Sequence, residues 1–101
     1  MTEAPKGGQL VTLHIEHPIT DYETWFSAFS GFTEARRRAG VRDHRVQHPV
    51  DDRRYIVIDL DFDTAGEAAT FLDFLQSRVW AAQKNSPALS GAPKATILES
   101  F

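Results

Sequence analysis

From Leu10 to His17 apolar and polar side chains alternate. Val11, Leu13, Ile15 and His17 share one face, and Leu10, Thr12, His14 and Glu16 the other. A period of two with one dominant apolar face predicts a strand, and Pro18 stops it. Thr20-Asp-Tyr-Glu23 has the form of a capping box, in which a hydroxyl and a carboxylate satisfy orphan amide protons at a helix start. Tyr22, Trp25, Phe26, Phe29 and Phe32 follow at helical spacing, Ala35 and Ala39 continue the stripe, and Gly40 is placed to end the helix. Residues 42–48 alternate again, with His44, Val46 and His48 opposite Asp43, Arg45 and Gln47, before a hairpin loop from Pro49 to Arg53. The run from Tyr55 to Phe62 is apolar at nearly consecutive positions, which predicts a strand covered on both faces. Thr64-Ala-Gly-Glu67 is a second capping box, and Ala68, Phe71, Leu72, Leu75 and Val79 form the stripe of a second helix. Gln76-Ser77 is the place where that helix would be interrupted, and Asn85-Ser-Pro87 ends it. Pro93 to Ser100 makes a last strand, with Ala95 and Ile97 on one face and Thr96 and Leu98 on the other.

Strand, helix, strand, strand, helix, strand is the order of a ferredoxin-like α+β fold. Right-handed crossovers give a four-stranded antiparallel sheet of order 4-1-3-2 with both helices on one face. The opposite face, with Leu10, Thr12, Tyr55, Val57, Thr96 and Leu98, is left bare, and it is larger and more apolar than a soluble monomer usually exposes. The expectation is a homodimer closed sheet against sheet, a dimeric α+β barrel. Residues 1–9 are expected to be a flexible N-terminus ahead of a single domain over 10–101.

Composition narrows the function classes. A chain of 101 residues, 42% hydrophobic and 25% charged, fits one globular domain. It has no cysteine, which excludes disulfides, thiolate metal sites and a cysteine nucleophile. A net charge of −3 argues against nucleic acid, and the third strand lacks the aromatic RNP1 pattern of RNA-binding domains of this topology. There is no apolar run long enough for a membrane span, no signal-like start, no phosphate loop and no Gly-x-Ser-x-Gly, so a cytoplasmic protein is expected.

Three runs carry a resemblance: HPITDYETWFSAFSGFTEARRRAGVRDHRV, IVIDLDFDTAGEAATFL and SPALSGAPKATILES. Together they resemble the small dimeric α+β-barrel proteins of the antibiotic-biosynthesis-monooxygenase type, in particular a cyclase-like branch with His, then Asp-Tyr, then Trp around the first helix. Pro93 to Glu99 is similar to the P-x-x-x-x-L-E ending of that branch, whereas Trp80 stands where a smaller apolar residue is expected. The resemblance spans roughly residues 10–100. It implies a cofactor-independent oxygenase, cyclase or isomerase acting on an aromatic or polyketide-like molecule. Haem-degrading enzymes share the superfamily, so haem with His17 or His48 as axial ligand is the minor alternative.

Strand directions bring His17, His48 and Tyr55 to one end of the sheet, where the first helix starts and the second finishes. Tyr22, Trp25 and Trp80 reach the same end. The expected site is a cleft between sheet and helices, walled by Tyr22, Trp25, Phe29, Phe71, Leu75 and Trp80, with His17 and His48 as its polar groups and Tyr55 as a helper if it turns inward. His17 is the candidate general base, because imidazole titrates near neutrality; the plainer reading is a histidine satisfied by a backbone carbonyl at a strand end. Two strand spacings put His17 and His48 about 9–10 Å apart. That distance, with no Glu-x-x-His or His-x-His pair, argues against a metal. The Arg36-Arg37-Arg38 triplet reads as a solvated helix end complementing the helix dipole, with Glu34 paired to Arg38. Arg45 and Asp59 share the bare face and are expected to pair across strands or across the dimer. The competing function is a non-catalytic dimer that binds a small apolar ligand or serves as an interaction module.

Overall fold

β1 (Val11–Pro18) buries alternate residues, and its neighbours in the sheet are both antiparallel. On one side lies β3 (Tyr55–Phe62), pairing Val11 with Phe62 and His17 with Ile56; on the other lies β4 (Lys94–Glu99), pairing Leu13 with Ile97. β2 (Asp43–Gln47) adds to the outer edge of β3, giving the order β2-β3-β1-β4, which is 4-1-3-2 read from the other side. The chain is therefore the ferredoxin-like α+β fold that the element order implies. The structure is a computed structural model describing residues 10–101; the flexible terminus expected over 1–9 lies outside the described residues.

The helical layer differs from expectation. The first helix is two: α1 (Tyr22–Gly31) and α2 (Thr33–Ala39), separated at Phe32. Ser30 and Gly31 are a pair that commonly breaks a helix, and Thr33 donates its hydroxyl to the Ser30 carbonyl at 2.8 Å. The Phe32 amide bonds the Phe29 carbonyl three residues back, closing a tight turn. Asp21, not Thr20, caps α1: its Oδ1 accepts the Thr24 amide at 2.8 Å. Gly40 ends α2 at φ 98°, the left-handed cap that glycine favours.

α3 (Ala65–Phe74) starts at a Thr64 cap whose hydroxyl accepts the Glu67 amide. It passes without a break into a π-helical turn, Leu75–Val79, at the place Gln76-Ser77 suggested. The helix ends there rather than at Asn85. A 3-10 turn (Gln83–Asn85) follows, and the next segment is tied to the end of β1: the Thr20 amide bonds the Ala88 carbonyl at 2.8 Å, the Ser90 amide bonds the Pro18 carbonyl at 3.3 Å, and Ile19 bridges Leu89.

The core lies between sheet and helices and is built from Leu13, Ile15, Ile56, Leu60, Phe62 and Phe71, among others. The open face of the sheet is more polar than its alternation suggested. His14 sits between Asp59 and Glu16, Tyr55 donates to Glu16 at 2.6 Å, and Thr12 donates to Asp61 at 2.9 Å. Arg45 stands opposite Asp59 in register but reaches Asp61 at 3.4 Å, because His14 already occupies Asp59. Val57 and Tyr55 are half-buried on this face rather than covered, while Leu98 is 47% exposed.

Candidate functional site

One cavity of about 70 Å3, partly open to solvent, lies beneath the helices. Its floor is sheet, from Ile15, His17, Ile58 and Leu60; α1 and α2 supply Trp25, Phe29, Phe32 and Arg36; α3 and its π turn supply Phe71, Leu75, Val79 and Trp80. Asn85, Ser86, Ala88 and Leu89 close the remaining side. Most of these residues follow from simple periodicity. β1 turns every second side chain inward, so His17 follows Leu13 and Ile15 to the helix side. The α1 stripe brings Trp25 over Phe29, ring centroids 4.7 Å apart.

His17 is 3% exposed. Its Nδ1 lies 3.0 Å from the Pro18 carbonyl, which can only accept, so Nδ1 carries the proton. Nε2 is then the unprotonated nitrogen, and it has no partner among the described residues. Burial pulls the imidazole pKa below its ordinary 6.5, only partly offset by the Pro18 carbonyl, so the ring is neutral at pH 7. One nitrogen is satisfied by a backbone carbonyl, as the plainer reading expects, and the other is left unbonded at the cavity.

Of the residues expected to line the site, Trp25, Phe29, Phe71, Leu75 and Trp80 do so with His17. Three stand elsewhere. Tyr55 has the parity of the open face and bonds Glu16 there. His48 is exposed beyond the end of β2, with Nδ1 2.6 Å from the Pro49 carbonyl and Nε2 near Arg53. Tyr22 packs on Phe26 and Trp25 outside the cavity, because the first helical turn precedes the sheet's cover. A porphyrin far exceeds the enclosed space of about 70 Å3, and His48, the second axial candidate, is on the surface away from it. No cluster of three metal-ligating side chains occurs among the described residues.

Arg36 was not anticipated. Arg37 and Arg38 are exposed, and Glu34 pairs with Arg38 as expected and with Arg37 as well, but Arg36 is 6% exposed and forms part of the cavity wall. It stands four residues after Phe32 and seven after Phe29, so the helical stripe itself carried the signal. Asn85, Ser86, Ala88 and Leu89 were missed because no period marks a loop. There the Ser86 hydroxyl bonds the Val79 carbonyl at 2.9 Å, and Asn85 bonds the Arg78 carbonyl at 2.8 Å.

No protein-family model matches the chain, and no curated protein does. Solved structures do. SnoaB, a cofactor-independent oxygenase from Streptomyces nogalater, superposes with a TM-score of 0.70 at 15% identity, over 92% of this chain and 94% of that one. The fold is that of the antibiotic-biosynthesis-monooxygenase-like proteins. A monooxygenase from ActVA-Orf6 of Streptomyces coelicolor, solved with nanaomycin D, gives a TM-score of 0.66 at 17% identity, over 94% and 90% of the two chains. A dimeric ferredoxin-like protein from an uncultured marine organism gives 0.61 at 4% identity, over 90% and 94%. No helix among the described residues is long and apolar enough to cross a membrane.

Proposed function

We propose that this protein is a homodimeric, cofactor-independent enzyme of the oxygenase, cyclase or isomerase kind, acting on an aromatic or polyketide-like molecule with His17 as its base. One observation carries the reading: a buried, neutral imidazole whose Nδ1 is committed to Pro18 keeps an unpaired Nε2 in a largely apolar cavity wall. In the first step a C–H or O–H bond of the substrate breaks, the proton passes to Nε2, and the electron pair stays in the conjugated substrate as an enolate or phenolate. The three reaction types diverge only afterwards: transfer of electrons to dioxygen, attack on an internal carbonyl, or return of the proton to another carbon. Trp25, Phe29 and Trp80 hold the ring system, and the dry wall keeps the imidazole uncharged. The fold shared with a cofactor-independent oxygenase supports this reading.

The volume bears on substrate size. Known apolar cavities that hold benzene are about 150 Å3. A space of about 70 Å3 therefore takes part of one ring unless Trp80 or the π turn beside it yields. A larger substrate would enter edge first, with its remainder in the opening. The small volume also favours a second reading, a dimer that binds a small aromatic ligand without turning it over.

Oxygen uptake and product mass spectrometry on a panel of hydroxylated one- to three-ring aromatics separate these readings. In the enzyme reading, His17→Gln lowers turnover by a factor of ~10^2 or more, as expected for loss of a general base. Turnover unchanged in His17→Gln would overturn the assignment. Ligands that raise the melting temperature through binding, yet are never converted, would establish the second reading.

A further inference from the structure

We propose that the ligand of this cavity carries an oxyanion on an aromatic ring, a carboxylate or an ionised phenol, and that Arg36 receives it. The inference rests on the cavity being a ligand site, and it adds the charge that the ligand must bring.

A guanidinium remains protonated at any physiological pH, and a buried charge is costly unless it is paired. Arg36 has only neutral partners. Nη1 donates to the Phe29 carbonyl at 2.6 Å, Nη2 donates to the Thr33 hydroxyl at 3.2 Å, and the guanidinium carbon stands 3.6 Å from the Phe29 ring centroid. The helix break at Phe32 places the last turn of α1, with its outward carbonyls, within reach of this side chain. Two of five N–H donors are thereby used, and three have no partner among the described residues.

Glu34 pairs with Arg37 and Arg38, Asp63 with Arg42 and Asp61 with Arg45, while the Glu67 carboxylate lies against Gly40 with its Oε1 unbonded. No described acid lies within ion-pair distance of Arg36. Among the residues that line the cavity it is also the only one charged at neutral pH, since burial keeps His17 neutral. A cation held in an apolar wall by a ring face and a carbonyl is positioned for an anion that arrives with the ligand. Planar oxyanions suit the guanidinium fork, and the adjoining Phe29 and Trp25 rings suit the aromatic body that bears them. The same charge would hold an enolate or phenolate formed by proton loss to His17.

The test pairs benzoate with benzamide, its neutral isostere, by ligand-observed NMR titration of the intact protein. Benzoate should bind at least about ten-fold more tightly, equivalent to roughly 1.4 kcal/mol. Arg36→Met should abolish the preference for benzoate over benzamide, and Arg36→Lys should restore part of it. Titration of 4-nitrophenol forms the second arm: the wild-type protein should lower its apparent pKa, seen in the phenolate absorption band, and Arg36→Met should not. A response in one arm alone identifies the oxyanion as carboxylate or phenolate. Equal binding of benzoate and benzamide with no phenolate shift, or a preference that survives in folded Arg36→Met, overturns the inference while leaving the cavity a ligand site. Failure of every probe to bind removes the ligand site itself and this inference with it.

Discussion

His14 and His17 are three residues apart on one strand, and their surroundings push them in opposite directions. His17 faces the helices, where burial favours the uncharged ring and lowers its pKa. His14 faces the other way, with Nε2 2.9 Å from Glu16 and Nδ1 2.7 Å from Asp59. Hydrogen bonds to Glu16 first and Asp59 second raise its pKa above 6.5, against a smaller opposing effect of burial. The Tyr55 hydroxyl, and then His14, hold the Glu16 carboxyl below its ordinary range. Histidine-resolved NMR titration should place one ring above 6.5 and one below, and His17→Gln should remove the lower one.

The consequences for stability have opposite signs. The stabilisation from His14 is complete below 6.5 and fades as pH rises through its raised value. His17 destabilises the fold as pH falls below 6.5 toward its depressed value, because the unfolded chain then binds the extra proton. In denaturant titrations, His17→Gln should flatten the loss on the acid side, and His14→Gln the decline on the alkaline side. A pH profile unchanged by either substitution would contradict these environments.

At the scale of elements, the segment that closes the cavity is held by a few backbone hydrogen bonds to the end of β1 and by close contact. Gly91 lies against Pro18 so tightly that a Cβ there would stand 2.6 Å from the proline Cγ. Gly91→Ala should therefore move the loop that carries Ala88 and Leu89 and cost about 1–3 kcal/mol, as overpacking of a fitted contact does. Thermal melts and ligand titration of that variant check both effects. Gly40 is constrained in another way, by φ 98° and by the Glu67 carboxylate that a Cβ would meet at 2.9 Å. This placement is also why Glu67 does not complete the capping box its spacing suggests: its Oε1 is buried without a hydrogen bond instead. The helix break at Phe32 and the π turn after Phe74 flank the cavity, and both departures from regular helix act on its wall.

For the whole molecule, the proposed homodimer would close on the uncovered sheet face. Leu98, Val57 and Leu10 share this face with a polar group formed by His14, Glu16, Asp59 and Tyr55, so a partner would bury charges that are already paired within one protomer. Light scattering of a homodimer should give twice the chain's 11.3 kDa. Leu98→Asp should return the mass to a single chain, because a lone carboxylate in an apolar contact has no compensating partner. Wild-type protein that scatters as one chain at micromolar concentration would remove assembly from the proposed function.

The strands, their order and the inward parity of His17 were legible in the sequence because period-two alternation and the strand-helix order leave few ways to bury one face. The Trp25-Phe29 wall was legible for the same reason at helical spacing. Sequence by itself also determined that no thiolate chemistry occurs here, since the chain has no cysteine. What it left open depends on distances between segments remote in the chain. Arg36 continues the Phe29–Phe32 stripe, but only packing decided that it is 6% exposed while Arg37 and Arg38 stay in solvent with Glu34. Whether Tyr55 helps in the cleft turned on Glu16, 39 residues away, capturing its hydroxyl on the other face. Only tertiary packing decided how much space remains under Trp80, because a cavity is the volume that side chains from several separate elements fail to fill.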